Sequence, residues 1–251
     1  MTRPRSEFEI VKALIAAGLN DCQIARLSGV PRRTVLDWRW GRGQATPRYE
    51  KRPGSYECTR EHDFAGLSPD AYSYLLGMYL GDGCLSALPR GVFKLRIFCD
   101  AQYLGIIEEC SRAIEAVMPG QRASRQKRKS RCVEILMYSK HWPCLFPQHG
   151  PGRKHERPIH LEPWQLEIVN RSTEMFLRGL IHSDGCRVVA NDRGVRSVRY
   201  HFSNLSEDIK ALFCAALDRL DIHWTRNSSR SVAIYRKADV ARLDEFIGPK
   251  Y

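Results

Sequence analysis

The stretch Tyr74-Leu75-Leu76-Gly77-Met78-Tyr79-Leu80-Gly81-Asp82-Gly83 decides how this chain folds, because it occurs twice. The second copy is Phe176-Leu177-Arg178-Gly179-Leu180-Ile181-His182-Ser183-Asp184-Gly185. Both are apolar helical runs with small residues four apart, Gly77 and Gly81 in the first, Gly179 and Ser183 in the second. Residues at that spacing share one helix face, and small side chains there let two backbones approach closely. Each copy ends in an acid followed by glycine. Two such helices packed together bring Asp82 and Asp184 side by side, an arrangement that suits a metal ion.

The flanks repeat with the motif, which recurs at a separation of 102 residues, from 82 to 184. After the first copy the patterning predicts a strand over 92–98, a helix over 101–117 with Ile106, Ile107, Cys110 and Ile114 at helical spacing, a basic strand pair at 121–127 and 132–138, and a short helix over 141–146. After the second it predicts strands at 186–190 and 195–202, a helix over 206–220, a strand pair at 223–227 and 231–235, and a final helix over 238–247. Local matches set the register: Arg96-Ile97-Phe98 against Tyr200-His201-Phe202, and Met137-Tyr138-Ser139-Lys140 against Ile234-Tyr235-Arg236-Lys237. Gly-Pro follows the last helix of each half. The expected fold is α+β, a pseudo-two-fold pair of αββαββα repeats over 69–160 and 161–251.

These two motifs and their flanks resemble the two-motif, monomeric LAGLIDADG homing endonucleases, the enzymes of intron- and intein-type mobile elements. The resemblance covers residues 70–251. It implies that the motif helices form the central interface and that each half lays a curved antiparallel sheet into the major groove of double-stranded DNA. It also implies that Asp82 and Asp184, with the backbone at Gly81 and Ser183, bind Mg²⁺ (or Mn²⁺) at the scissile phosphates. A basic residue after the last helix of each repeat is expected to stabilise phosphate charge; by position these are Lys154, with Arg153 as a competitor, and Lys250. Asp100 and Asn204 match a polar position that organises catalytic water. His182 reads as an interface residue.

The chemistry needs such an arrangement: phosphodiester hydrolysis requires an activated water and a stabilised leaving oxygen, which metals between two carboxylates supply. Mg²⁺ prefers hard oxygen ligands and keeps several waters. Basic residues on and beside the expected strands, Arg122, Arg125, Lys127 and Arg128 in the first half and Arg196, Arg199, Arg226 and Arg230 in the second, are candidates for contacts to phosphates and base edges.

Ahead of the repeats, residues 1–45 read as a helix-turn-helix domain. Ser6 and Glu9 form a potential capping box, Gly18 ends the first helix, and Asn20 with Gln23 caps the second. Gly29 supplies a turn, Pro31 opens a third helix, and Arg32 and Arg33 lie where a recognition helix meets DNA. A basic, Pro/Gly-rich linker over 46–68 follows. Within it Cys58 and His62, four residues apart, could be half of a zinc site, but no second Cys or His pair follows at close spacing.

Composition agrees. Forty Lys and Arg against 28 Asp and Glu give a net charge of +12, which points to a polyanionic partner, nucleic acid first. No apolar run approaches the ~18 residues of a membrane span, and the first residues lack an apolar signal core. Nine scattered cysteines fit a reducing compartment. The expected setting is cytoplasmic and nucleoid-associated. A rival reading is a non-cleaving DNA-binding transcriptional regulator built on the same core plus the helix-turn-helix; the presence of both aspartates favours the enzyme.

Overall fold

The computed structural model describes residues 5–40, 62–128, 131–192, 194–248 and 250. The chain divides into two compact units, Met1–Ser55 and Tyr56–Tyr251. Residues 41–61, most of the expected linker and Cys58 among them, lie outside the described residues.

The first unit has three helices, α1 (Arg5–Ala16), α2 (Asp21–Ser28) and α3 (Arg32–Arg39), closed around Val11, Ile24, Val30 and Val35. The capping box at α2 is formed: Asn20 Oδ1 accepts from Gln23 N at 3.0 Å and Gln23 Oε1 accepts from Asn20 N at 3.0 Å. Gly29 sits at φ +69°, the left-handed conformation that the turn demands. Helix α1 already includes Arg5, so Ser6 lies inside its first turn and not at its cap. Pro31 is the residue before α3. Arg39 closes the unit, donating to Asp21 Oδ1 and to Leu19 O, each at 2.6 Å.

The second unit holds both repeats. The first runs α4 (Pro69–Asp82), β1 (Gly83–Ala87), β2 (Phe93–Asp100), α5 (Leu104–Val117), β3 (Ser124–Lys127), β4 (Cys132–Ser139) and α6 (Trp142–Leu145). After an intervening α7 (Pro163–Arg171), the second runs α8 (Thr173–Asp184), β5 (Gly185–Asp192), β6 (Val195–Ser203), α9 (Glu207–Arg219), β7 (Thr225–Arg226), β8 (Ser231–Ile234) and α10 (Lys237–Ile247). The sheets are antiparallel with equivalent strand orders, β1-β2-β4-β3 and β5-β6-β8-β7. The expected α+β pair of αββαββα repeats is therefore the observed architecture.

Helix α7 is not anticipated: it falls within the expected 161–251 repeat but ahead of the motif helix, outside the αββαββα pattern. It opens on Glu162-Pro163, where Gln165 Oε1 accepts from Glu162 N at 2.9 Å. Its Gln165 then enters a buried polar chain: Gln165 Nε2 donates to Tyr72 Oη at 2.6 Å, and Tyr72 Oη donates to Leu145 O at 2.6 Å. Each buried polar group there has a partner, so α7 is fixed against α4 without the cost of an unsatisfied donor.

The register differs from the local match in one place. Gly83 pairs with Ile97 and Gly185 with Phe202, so the mate of Phe202 is Ile97 and not Phe98. A one-residue slip turns every side chain to the other face of a sheet. The other match holds: Ile97 pairs with Ile135 and Phe202 with Val232, which makes Tyr138 the mate of Tyr235.

Helices α4 and α8 pack along their small residues. A methyl group added at Gly77 would lie 2.6 Å from Phe176 O and 2.7 Å from Leu180 N. One added at Gly179 would collide with Tyr74 O and lie 3.1 Å from Gly77 Cα. Backbone meets backbone, and only glycine fits. His182 is buried in this interface: its Nδ1 accepts from Tyr74 Oη at 3.1 Å, and its Nε2 donates to Ile247 O at 3.1 Å. Burial, then the Arg178 charge, lower its pKa to about 4, so the ring is neutral. Arg178 links three helices, forming a two-pronged pair with Glu109 of α5 at 2.6 and 2.8 Å and donating to Phe246 O at the end of α10 at 2.6 Å.

Candidate active site and nucleic-acid interface

The close approach of α4 and α8 continues to their C-terminal ends, where the acids stand. A methyl group at Gly81 would lie 2.5 Å from Ser183 Cβ and 3.0 Å from Asp184 Oδ2. The carboxylate of one helix thus reaches the backbone end of the other. Burial, then the neighbouring Asp184 charge, raise the Asp82 carboxyl from 3.8 to about 6, while Lys154 and Lys250 oppose the rise. Asp184 is also raised, chiefly by burial, but Asn204 holds its charged form. Asn204 Nδ2 donates to Asp184 Oδ2 at 2.7 Å.

One lysine caps each motif helix. Lys154, at a short 3-10 turn (Lys154–Glu156), donates to Leu80 O and Gly81 O, each at 2.9 Å, and to Tyr79 O. Lys250 donates to His182 O at 3.1 Å and Gly185 O at 2.5 Å. Cations at helix C-termini meet the negative end of the macrodipole. Burial lowers Lys154 to about 8 and lowers Lys250 as well, with the two aspartates pulling both upward. Arg153, the competitor of Lys154, is exposed, and its backbone N–H donates to Glu156 Oε2 at 3.0 Å.

Sequence reasoning missed Arg157, which shares the cleft beside Asp184. Its guanidinium donates to Gln148 O at 3.2 Å and Gly152 O at 2.8 Å, holding the loop that delivers Lys154. The paired Asp100 and Asn204 expectation divides. Asn204 touches an acid, whereas Asp100 is exposed and its Oδ1 accepts from Gln102 N at 2.9 Å. The sheet register explains this, since it aligns Asn204 with Cys99.

The donor set fits a hard divalent cation. Two carboxylates and the carbonyls of Gly81 and Ser183 are all oxygen, as Mg²⁺ or Mn²⁺ prefers. A carboxyl raised to about 6 beside a second acid marks negative charge that is poorly solvated and that a cation would relieve. The Gly81 carbonyl is already engaged by Lys154, so the ammonium competes for that oxygen.

The basic residues sort by sheet face. In the first half the face turned from the helices carries Lys94, Arg96 and Arg128 around fully buried Glu134: Lys94 Nζ lies 2.7 Å and Arg96 Nε 2.8 Å from Glu134 Oε1, and Arg128 contacts Oε2. Lys94 and Arg96 were not anticipated as contacts; the alternation on β2 is the signal that finds them. Arg199, the mate of Lys94, occupies the same face of the second sheet. Lys94 lies 5.9 Å from the Tyr138 ring and Arg199 5.9 Å from the Tyr235 ring, the same pairing in both halves.

Arg125 and Arg226 turn the other way, which departs from the sequence expectation. They pair in register with the core-facing Ile135 and Val232, and each reaches a glutamate of the helix behind its sheet. Arg125 Nη2 donates to Glu108 of α5 at 2.6 Å, and Arg226 bonds Glu207 of α9. Lys127 and Arg196 lie in the same helix-side rows, opposite Val133 and Asn191, and are exposed. Arg122 and Arg230 are exposed just outside strands. In the first unit Arg32 is exposed and Arg33 Nε lies 3.6 Å from Asp37. His62 meets His141 and Cys144. Among the described residues no helix is long and apolar enough to cross a membrane.

No sequence-family model and no curated protein sequence matches the chain. Solved structures do. The chain is similar to the homing endonuclease I-DmoI in complex with DNA and Mn, at 14% identity over 73% of this chain and 99% of that one, with a TM-score of 0.49. It is similar to the LAGLIDADG meganuclease I-AabMI bound to uncleaved DNA, at 11% identity over 72% and 83% of the two chains, with a TM-score of 0.44. It is also similar to the N-terminal LAGLIDADG domain of DUF199/WhiA, at 17% identity over 73% and 83%, with a TM-score of 0.43.

Proposed function

We propose that the second unit is a site-specific, double-stranded DNA endonuclease that hydrolyses phosphodiester bonds using divalent metal held by Asp82 and Asp184. One observation carries the reading. Two acids stand at the touching ends of two repeated helices, and a buried lysine accompanies each.

Each residue has a role. Asp82 and Asp184, with the Gly81 and Ser183 carbonyls, would hold the ion. Bound there, Mg²⁺ would polarise the phosphate and lower the pKa of an attacking water. Lys154 and Lys250 set fixed positive charge beside the reacting phosphate, where partial burial strengthens it. Asn204 keeps Asp184 ionised and oriented. Lys94 with Tyr138 and Arg199 with Tyr235 offer cation and aromatic surface to the two half-sites. The three-helix unit adds a second DNA contact through Arg32 and Arg33, raising the effective concentration of the core at its site. The chain carries both halves and acts as a monomer.

A second reading, the non-cleaving regulator, is favoured by the Lys154 contact to Gly81 O, since an ammonium already fills part of the oxygen cradle. The test is to incubate the full chain with a library of DNA sites and Mg²⁺ or Mn²⁺, beside an Asp82→Ala/Asp184→Ala control. Cleavage lost in the control while binding persists is expected. Site-selective binding without cleavage under either metal overturns the enzyme and leaves the regulator.

A further inference from the structure

Away from the acids, three metal-ligating side chains converge. His62, at the start of the described part of the second unit, meets His141, the residue before α6, and Cys144 within α6. Their ligand atoms all lie within 4.8 Å of one another. The two imidazole rings are 5.0 Å apart and inclined at 76°, so they approach one point from different directions.

The scaffold around the three is firm. His141 and Cys144 are three residues apart on a helical turn, where Cys144 N donates to His141 O at 3.0 Å. That spacing puts both side chains on one face. His141 N donates to Ser139 Oγ at 3.1 Å, and buried Trp142 donates through Nε1 to Met137 O at 3.0 Å. On the other side Phe64 stacks on Trp164 at 3.9 Å, which fixes the segment that carries His62. All three ligating residues are half-buried, so an ion can enter and still be shielded.

We infer that His62, His141 and Cys144 form a zinc site that fastens the segment before α4 to α6. Two imidazole nitrogens and one thiolate are a ligand set of zinc, and they differ in kind from the all-oxygen set at the aspartates. Zn–N bonds of ~2.0–2.1 Å and a Zn–S bond of ~2.3 Å put tetrahedral ligand atoms roughly 3.3–3.6 Å apart. From a spread of up to 4.8 Å, binding would draw the ligand atoms together by about 1 Å or more. The fourth position is left to water or a further ligand. Binding releases the Cys144 thiol proton and requires neutral imidazoles, so zinc affinity depends on pH.

The full chain, loaded with zinc and dialysed into metal-free buffer, tests this by elemental analysis and by cobalt substitution. One zinc per chain is expected in the unaltered protein and in the Asp82→Ala/Asp184→Ala variant, with near-complete loss in His141→Ala and in Cys144→Ser. Cobalt in the unaltered protein should show tetrahedral visible bands and a thiolate charge-transfer band, and Cys144→Ser should lose the latter while keeping its helical circular dichroism. Substoichiometric zinc in the unaltered protein, octahedral cobalt there, or a thiolate band that survives Cys144→Ser would each overturn the site.

Discussion

Replacing Asp82 by Asn should stabilise the protein while abolishing cleavage. The carboxyl rises from 3.8 to about 6 in the folded state. Each unit of difference is worth about 1.4 kcal/mol, so ionising Asp82 at neutral pH costs the fold at most about 3 kcal/mol. Because the group is partly exposed, solvent screening reduces the expected gain to about 1–2 kcal/mol, or roughly 2–8 °C in Tm for a chain of this size. The sign follows from the raised pKa. The folded state binds the proton more tightly than the unfolded state between pH ~4 and 6. This contribution is therefore fully present below pH ~4 and is lost as pH rises through 6.

The advantage of Asp82→Asn should accordingly be complete above pH ~7 and absent at pH ~4. Mg²⁺ should raise the Tm of the unaltered protein and leave the variant nearly unmoved, because a cation that binds the folded carboxylate pair stabilises by linkage. Thermal unfolding followed by circular dichroism, with and without Mg²⁺ across that pH range, measures both effects. A variant no more stable than the parent at pH 7.5, or a gap of equal size at pH 4, refutes the reasoning.

Cleavage measured against pH at fixed, subsaturating Mg²⁺ should be bell-shaped, with limbs near 6 from Asp82 and near 8 from Lys154, and the acid limb should move down as Mg²⁺ is raised; an acid limb independent of Mg²⁺ separates Asp82 from metal binding. Gly179→Ala drives a methyl group into Tyr74 O and to 3.1 Å from Met78 N, so the motif helices must part. A loss of about 3 kcal/mol in denaturant melts is expected, with cleavage lost as the acids separate, and an unchanged midpoint removes the close-packing claim. Glu134→Gln releases Lys94, Arg96 and Arg128 from a fully buried acid. It should lower stability by about 3 kcal/mol and raise non-specific DNA affinity, with a log–log salt slope steeper by about one; an identical slope in anisotropy titrations excludes that face from DNA contact.

The architecture was legible because its cause is local. Small residues four apart followed by Asp-Gly permit a close helix pair, and two copies in one chain point to each other. What was not legible depends on partners distant in the chain. The match of Arg96-Ile97-Phe98 to Tyr200-His201-Phe202 rested on a shared aromatic, but the ladder from Gly83 to Ile97 sets the true register. That slip carried Asp100 onto the place of Asn204. Alternation alone could not say which row of each sheet faces outward, so Arg125 and Arg226 were read onto a face that Lys94, Arg96 and Arg199 occupy. His62 and His141 stand 79 residues apart (62 to 141), so no local spacing joins them. Helix α7 did leave a signal, in Glu162-Pro163 followed by Gln165, but attention to the repeat passes over what the repeat lacks.

The two halves are alike in frame and unlike in chemistry, and the difference bears on which acid governs the site. Asp184 has a neutral amide donor in Asn204, which lowers its proton affinity. The register puts Cys99 at the corresponding place in the first half, and a buried thiol there supplies no such stabilisation to Asp82. Asp82 faces burial and a second carboxylate, with only the charges of Lys154 and Lys250 in its favour. It is the acid whose charge the site stabilises least. Of the two lysines, Lys154 bonds three successive carbonyls at the end of Asp82's own helix, and Lys250 bonds two at the end of the other. The acid without an amide donor and the more fully engaged lysine therefore fall on the same helix. On the proposed function, a divalent metal would compete with protons for Asp82 below pH about 6 and with Lys154 for Gly81 O, so metal affinity on that side would be set by the first repeat. On that reading, protonation of Asp82 would be the route by which pH reaches the chemistry, while Asn204 would keep Asp184 available to the ion.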